Sequence, residues 1–591
     1  MGSRPMTICE CTLSQNYMNE RPLDGGEALL AAFRRLGIEY VISSPGSEWS
    51  PVWEALARQK VEGKNGPKYI GCWHETTAVA MGMGYTNATE KMVAVLLHTG
   101  VGLLQGSLPI RSAYMAQVPL LICVGESTSY GADPHFDPGS HWLTDLTEVG
   151  GPARLGESIS KWSATVGSSW TLYGSAVRAG EISKSVPQGP VILSLPMEVM
   201  QGSWSLPSQR PEPPQISRHQ PDSKTIGQIA NILSKSRSPV ILTEACGRSE
   251  EGFARLIELA EILSIPVIEK GSPLYANFPK DHPLHMGYDI APFLDETDFF
   301  LVISCRAPWY PLTISPPKGS TVVILDENPI RPQLVYQSLQ ADIFVEANVA
   351  SSLSAIVDAI RSNGIELSGT RERKTRWESQ HYAMQEARSK KVQSHSSEKP
   401  INATWLCASI NEVMPSDAIY VEETIVHSGT IFEHIRWNQP RSFFHPVGGG
   451  LGLGLGLALG TKLAIPERPV VCLIGDGAFL YNPIIPFFGA SREYDLPILV
   501  IIFNNTGYAS MKRAHLRSYP GGMAERSDIF YGSKILGPNY SDLIRPFGGY
   551  GERVEEPEQL KGALQNGLDA VRGGRSALID VLLSTSPPKA K

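Results

Sequence analysis

The sequence is short of several things, and each absence narrows the possibilities. It has no CxxC pair, and of its eight cysteines only Cys9 and Cys11 stand close together. That spacing argues against a thiolate metal cluster or a disulfide framework, and it fits reduced thiols in an intracellular, cytoplasmic protein. No run of about 18 apolar residues appears, so no membrane span is expected. The nearest stretch, VGGGLGLGLGLALG, is short and half glycine. The N-terminal MGSRPMTICECTLSQNYMNERP lacks the apolar core of a signal peptide. Basic residues are not in surplus: 52 Lys and Arg stand against 59 Asp and Glu, a net charge of −7. A nucleic-acid partner is therefore not expected. Charged residues make up only 19% and hydrophobic ones 42% of the 591 residues, which implies large cores and three or four domains.

Within those bounds, apolar strand-like runs alternate with helical periods. Residues 1 to about 21 read as a loose tail. A first alternation opens with the helix-period GGEALLAAFRRLGI after Asp24, where Ala28, Leu29, Ala32, Phe33 and Leu36 share one face. It closes with PVILSLP. A Pro-rich stretch, residues 207–221, reads as a linker. The charged stretch 369–400 reads as a second linker, partly helical. The segmentation predicts three doubly wound parallel-sheet α/β domains, at 22–206, 222–365 and 401–591.

The richest segment runs from Val470 to Tyr508. An apolar run, Val470–Ile474, ends in Gly475-Asp476-Gly477, and a second, Ile498–Phe503, ends in Asn504-Asn505. This is a βαβ unit that puts an acid and an amide at the carboxyl edge of one sheet, where open α/β sheets bind ligands. Asp476 and Asn505 offer hard oxygens, and a turn carbonyl near Gly507 offers a third, a set suited to Mg²⁺ that keeps phosphate oxygens. The flanking glycines let backbone N–H groups approach a diphosphate. Asn482-Pro483 predicts a helix start capped by Asn482. A lone GDG is also a common tight turn; the paired asparagines at the next strand end favour the ligand reading. Gly452, Gly454 and Gly456 invite a dinucleotide loop instead. Such a loop follows a strand and precedes an acid about 20 residues on, and Asp476, near that distance, already has a place within GDG.

GDG followed by residues 478–503 and NN resembles the diphosphate–Mg²⁺ motif of thiamine diphosphate (ThDP) enzymes, in the group of pyruvate decarboxylase, benzoylformate decarboxylase, benzaldehyde lyase and acetolactate synthase. The likeness covers nearly the whole chain, as pyrimidine-binding, middle and diphosphate-binding domains. It implies that Glu75, in CWHETTAVAMGMGY, is the glutamate that hydrogen-bonds N1′ of the aminopyrimidine, in a buried apolar setting that raises its pKa. The residue-level alternative is an early-helix glutamate favoured by the helix dipole. The resemblance further implies that Leu451 wedges the two cofactor rings into a bent shape, and that Gly449, Gly475, Asp476, Gly477, Ala478, Asn505, Gly507, Thr424 and Ser428 contact the cofactor. Asp476, Asn505 and Gly507 are the implied metal ligands.

His98, ending the strand VAVLLH, falls where a benzoylformate decarboxylase has a histidine facing the thiazolium; the bland alternative is a satisfied strand-end histidine. His74, and His135 and His141 on the loop after Gly131, are further candidates. Met511 stands where pyruvate decarboxylase has a catalytic glutamate, and Tyr508, Ser510, Met511 and His141 are expected to line the substrate pocket. YNPIIPFF, after GDGAFL, suggests an apolar pocket. SCRAPWYPLT (304–313) lacks the Phe-Asp-Asp-Arg of flavin-binding relatives, so FAD is not expected, while Arg306 remains a candidate for a nucleotide phosphate. A long C-terminal lid is not expected.

The resulting expectation is a ThDP- and Mg²⁺-dependent C–C lyase/ligase. It acts on a 2-oxo acid or aldehyde donor through an enamine and forms acyloins by carboligation. Benzoylformate-type decarboxylation is the alternative; a nucleotide-linked oxidoreductase and a silent partner subunit are the readings from other classes. The resemblance puts Glu75 of one subunit opposite Asp476 and Asn505 of another, hence at least a homodimer and commonly a homotetramer.

Overall fold

The computed structural model describes residues 23–44, 46–127, 149–206, 218–362 and 369–584. The N-terminal tail with Cys9 and Cys11, and the candidates His135 and His141, lie outside the described residues. Short runs without polar alternation, such as AVLL, VVCLIG and LVIIFN, become strands buried along their whole length. That is the pattern of parallel sheets covered on both faces.

The first sheet contains β1 (Tyr40–Ser43), β2 (Lys68–Gly71), β3 (Ala94–Leu97), β4 (Leu121–Glu126), β5 (Trp162–Thr165) and β6 (Val191–Pro196), in the order β2-β1-β3-β4-β6-β5. The second contains β7 (Pro239–Thr243), β8 (Val267–Glu269), β9 (Phe299–Ile303), β10 (Thr321–Asp326) and β11 (Ile343–Glu346), in the order β11-β10-β9-β7-β8. The third contains β12 (Ile419–Glu423), β13 (Phe443–Phe444), β14 (Val470–Gly475), β15 (Leu499–Asn504), β16 (Tyr550–Val554) and β17 (Ala577–Leu582), in the order β13-β12-β14-β15-β17-β16. All strand pairings within these sheets are parallel. The strand order reverses between β1 and β3 in the first sheet and between β12 and β14 in the third, and crevices open at such reversals.

Four helices of the first domain matter for the site. α1 (Gly25–Leu36) is capped by Asp24, whose carboxylate accepts the Gly26 N–H at 3.0 Å, and it buries the expected Ala28, Leu29, Ala32 and Phe33, with Leu36 half-buried. α2 (Ser50–Val61), α3 (Glu75–Thr89) and α4 (Thr99–Ala116) follow. α3 packs against the helix Gly454–Ala464 of the third domain at backbone distance. A Cβ on Gly84 would lie 2.1 Å from the Leu457 carbonyl oxygen, and one on Gly460 would lie 1.9 Å from that of Met81. Because backbone blocks both positions, Gly460→Val is expected to cost about 3 kcal/mol or more by overpacking. Gly562→Ala, which meets open space, should be neutral or slightly stabilising. Denaturant midpoints of the two variants check this.

Two expectations are corrected. The stretch read as a partly helical linker is one continuous helix, Thr370–Ser394. Trp377 and His381 are buried in it, and Arg373 donates to the carbonyls of Leu263 and Ser236, so a narrow seam docks an otherwise polar helix on the middle domain. A helix does start after Pro483 (Ile484–Glu493), but Asn482 does not cap it. Its amide accepts the Leu455 N–H and donates to Glu423 and the Ala478 carbonyl. The six described cysteines are buried free thiols. No helix among the described residues is long and apolar enough to cross a membrane.

Candidate active site

At the edge of the third sheet, Asp476 follows β14 and opens the helix Asp476–Tyr481. Its Oδ2 accepts the Gly507 N–H at 2.9 Å. The carboxyl is 2% exposed, and burial pushes its pKa up to about 6 against the opposing backbone N–H groups of Gly477 and Gly507. The two asparagines that end β15 have different roles. Asn504 is spent on structure: its amide donates to Asp580 and accepts the Thr506 N–H. Asn505 is also buried, yet its Oδ1 has no hydrogen-bond partner. Thr506 adopts φ +57°, and a Cβ on Gly507 would lie 2.2 Å from the Ser533 carbonyl oxygen, so this turn requires glycine. Gly477 makes room for the Tyr508 ring, which a Cβ there would approach to 2.6 Å. Gly475 lies against the Thr424 carbonyl, and Ala478 is buried.

An orphaned buried amide oxygen and a buried carboxylate whose pKa is held up, at the ends of the paired strands β14 and β15, fit a hard cation, which would satisfy the first and reverse the shift of the second. Two residues the sequence reading did not single out adjoin it. His427 Nε2 is 3.4 Å from Asn505 Nδ2, and burial together with the Arg513 charge pushes the His427 pKa down to about 4. Arg513 holds two buried guanidinium nitrogens without partners, Nε and Nη2. Unpaired cationic donors next to a cation site fit a diphosphate.

Two acids that close the apolar strand AIYVEE organise the next layer. Glu423 accepts the N–H groups of Gly452, Leu453 and Gly454 and the Asn482 amide, all at 2.9–3.0 Å. Burial outweighs these bonds and holds its pKa above the usual carboxylate range. The donors a dinucleotide pyrophosphate would need are thus taken by this carboxylate, which disposes of the dinucleotide-loop alternative. Glu422 accepts from His445 Nδ1 at 2.6 Å, from the Thr424 N–H and hydroxyl, and from the Ser428 hydroxyl. Burial pushes its carboxyl up, but His445 and Thr424 more than offset that and hold it low. Thr424 and Ser428, expected at the diphosphate, are therefore bound through their hydroxyls to Glu422. Buried acids at a strand end were the signal in the sequence that could have found both. Leu451 is half-buried in the loop before the helix Gly454–Ala464, and Gly449 has φ +70° with open space beyond its Cα.

The second group lies at the edge of the first sheet. Glu75 is the first residue of α3, whose N-cap His74 accepts the Thr76 N–H. It is half-buried in the single chain, not enclosed as expected, because the N-terminus of α3 lies near the surface. His98 ends β3, and a Cβ on Gly102 of α4 would lie 3.3 Å from both Glu75 Oε1 and His98 Cβ. The fold thus brings these two candidates together. His98 Nδ1 is 2.9 Å from Glu48 Oε2, a buried residue that the sequence reading missed. Of the expected pocket residues, Tyr508 is half-buried and meets the Tyr481 ring edge-on at 6.4 Å, while Ser510 and Met511 are exposed on the helix Ala509–Ser518. His141 lies outside the described residues.

The middle domain departs from expectation. Arg306 binds Glu244 through Nε, Nη2 and its backbone N–H, so its guanidinium is committed to an ion pair. A cavity of about 820 Å³ lies between the first and middle domains, lined among others by Asn87, Arg248, Ser304 and Asp326, and its lining includes none of Arg306, Glu75, His98, Asp476 and Asn505.

Comparison with known proteins identifies the family. Three family models match in succession: thiamine pyrophosphate enzyme, N-terminal TPP binding domain (residues 23–148), central domain (226–356) and C-terminal TPP binding domain (426–581). The chain is 25% identical to benzoylformate decarboxylase of Pseudomonas aeruginosa over 94% of its own length and 98% of the relative's. It is 23% identical to acetolactate synthase isozyme 3 large subunit of Escherichia coli, covering 95% of each. Among solved structures, benzoylformate decarboxylase from Polynucleobacter necessarius shares the fold with a TM-score of 0.76 at 22% identity, covering 96% of this chain and all of that one. The 4-hydroxybenzoylformate decarboxylase of Rhodococcus jostii RHA1 gives 0.75 at 20% identity, with the same coverage. The three successive domains, each built on its own parallel sheet, make this chain a member of the thiamine pyrophosphate enzymes, related to both acetolactate synthase and benzoylformate decarboxylase.

Proposed function

We propose that the protein uses ThDP and Mg²⁺ to remove CO₂ from a 2-oxo acid donor, or a proton from an aldehyde donor, and to join the retained fragment to a second carbonyl compound. The observation that carries the cofactor half of this reading is the partnerless Asn505 Oδ1 near the buried Asp476 carboxylate. Asp476, Asn505 and the Gly507 carbonyl would hold Mg²⁺; Gly449, Leu451, Gly475, Gly477 and Ala478 would line the cofactor. When bound, ThDP supplies an electron sink for the pair left by the broken bond, C–C in a 2-oxo acid or C–H in an aldehyde. Glu75 holds or moves a proton at the aminopyrimidine, and His98 moves one at the donor.

Carboligation is favoured by the rim of this site. Leu480, Tyr481, Ile485 and Met511 are all exposed large hydrophobics, and Tyr481 packs on Tyr508. Such a rim suits an apolar acceptor, and Met511 has no proton to release an aldehyde early. His98, paired with a carboxylate, favours a second reading, benzoylformate-type decarboxylation. Because Glu75 and Asp476 lie on edges of different sheets, the reading includes a homodimer or homotetramer with the site completed between subunits.

The test supplies cofactor-stripped protein with ThDP, Mg²⁺ and pyruvate, benzoylformate or benzaldehyde, singly and in pairs, and identifies products by mass. An acyloin from a pair, absent in Glu75→Gln, is the expected result. Aldehyde and CO₂ alone would establish the decarboxylase reading. No turnover, without thermal stabilisation by ThDP, would refute both.

A further inference from the structure

The loop after β1 places an acid beside the candidate donor-side histidine. A single 3₁₀ turn, Ser47–Trp49, carries Glu48 into the interior, where its side chain is 4% exposed. Trp49 anchors the turn by donating its indole N–H to the Leu97 carbonyl at 3.1 Å, on the strand that ends in His98. The Glu48 carboxylate lies 2.9 and 3.0 Å from His98 Nδ1 and also accepts the Thr99 N–H at 3.3 Å. Thr99 adopts φ +27°, a strained value that this contact helps to hold.

Space for the pair is built in by two glycines. A Cβ on Gly125 would come within 2.2 Å of Glu48 Cγ, and one on Gly46 within 2.2 Å of His98 Nδ1 and 2.4 Å of Glu48 Oε2. The pair stands at the point where the first sheet reverses its strand order, between β1 and β3. Among the described residues, the carboxyl groups placed beside His98 are those of Glu48 and, across Gly102, Glu75; Glu126 at the end of β4 accepts the Ser194 hydroxyl.

We propose that Glu48 is a positioning residue: it fixes the His98 ring and its tautomer and raises the ring's basicity, so that His98 exchanges its catalytic proton through Nε2. With Nδ1–H committed to the carboxylate, the neutral ring carries its lone pair on Nε2, and the imidazolium that forms on protonation is stabilised by the adjacent charge. A carboxylate that orients a histidine in this way contributes to catalysis without touching substrate. This rests on the reading of His98 as the donor-side acid–base group, and the test separates the two.

On holoenzyme, the rate of diethyl pyrocarbonate labelling at His98, mapped by mass, is followed against pH; the reagent takes the unprotonated ring, so the midpoint reports ring basicity whatever the substrate. Removing a carboxylate at hydrogen-bond distance should lower that midpoint by at least about one unit in Glu48→Gln. Glu48→Asp, which keeps the charge, should shift it less, and product formation in Glu48→Gln should fall about 10–100-fold. His98→Ala supplies the zero for labelling. An unchanged midpoint in Glu48→Gln, or in Glu48→Asp relative to Glu48→Ala if the glutamine variant does not fold, overturns the proposal. A shifted midpoint in a protein whose wild type makes no product from any donor leaves the orientation standing and removes the donor reading instead.

Discussion

Replacing Glu75 by glutamine removes roughly 10²–10⁴ of the turnover, while thermal stability and ThDP binding change little. Glutamine has the same shape and still accepts and donates hydrogen bonds, so the first turn of α3 and its His74 cap persist. What it lacks is a carboxyl that can give up and regain a proton. Gly102 and Gly106 of α4 leave room beside the side chain, and an amide meets no new contact there. Turnover measured beside ThDP affinity distinguishes the cases. Loss of both together would mean that Glu75 holds the cofactor without moving its proton.

The second large effect is at Asp476. Asp476→Asn is expected to abolish Mg²⁺-dependent ThDP binding, and with it a cofactor stabilisation of about 2.7 kcal/mol at ligand concentrations a hundredfold above Kd. Cofactor-free protein should respond in the opposite sense. Burial raises the Asp476 pKa to about 6, so in the folded state the charged form costs stability above that pH. The cost is on the order of 3 kcal/mol at neutral pH. It disappears as pH falls below about 4, where the group is protonated in both folded and unfolded chains. The cofactor-free asparagine variant should therefore match or exceed the wild type in stability at pH 7.5 and lose that advantage near pH 4. Thermal melts of both proteins, with and without ThDP and Mg²⁺, read out both effects. A wild type that ThDP stabilises equally without added metal would contradict the assignment of Asp476.

The reach of the sequence differs from element to element. The strands β14 and β15 of the third sheet were legible because buried parallel strands are uninterrupted apolar runs, and their polar ends, Asp476 and Asn505, stand out against them. His98 was legible for the same reason at the end of β3. The helix Thr370–Ser394 was read as linker because a helix that docks along one narrow seam shows almost no apolar period. Asn482 was misassigned as a cap because local rules weigh only neighbours along the chain. Its partners, Leu455 and Glu423, are 27 and 59 residues away. Glu48 sits in a Pro-Gly-Ser-Glu-Trp turn, where an acid normally faces water. Only the parallel pairing of β1 with β3 puts His98 beside it. Glu422, Glu423, His427 and Arg513 were missed in the same way, since their roles depend on what the fold brings to them.

The central claim is that Glu75 and the Asp476–Asn505 edge jointly activate bound ThDP, whatever the donor. Its most direct test is the exchange of the cofactor's thiazolium C2 proton with solvent deuterium, followed by rapid quench and NMR in holoenzyme without substrate. The account predicts exchange much faster than in free cofactor, slowed at least a hundredfold in Glu75→Gln under the same metal loading. Exchange at the free-cofactor rate in the wild type, with ThDP demonstrably bound, would contradict it.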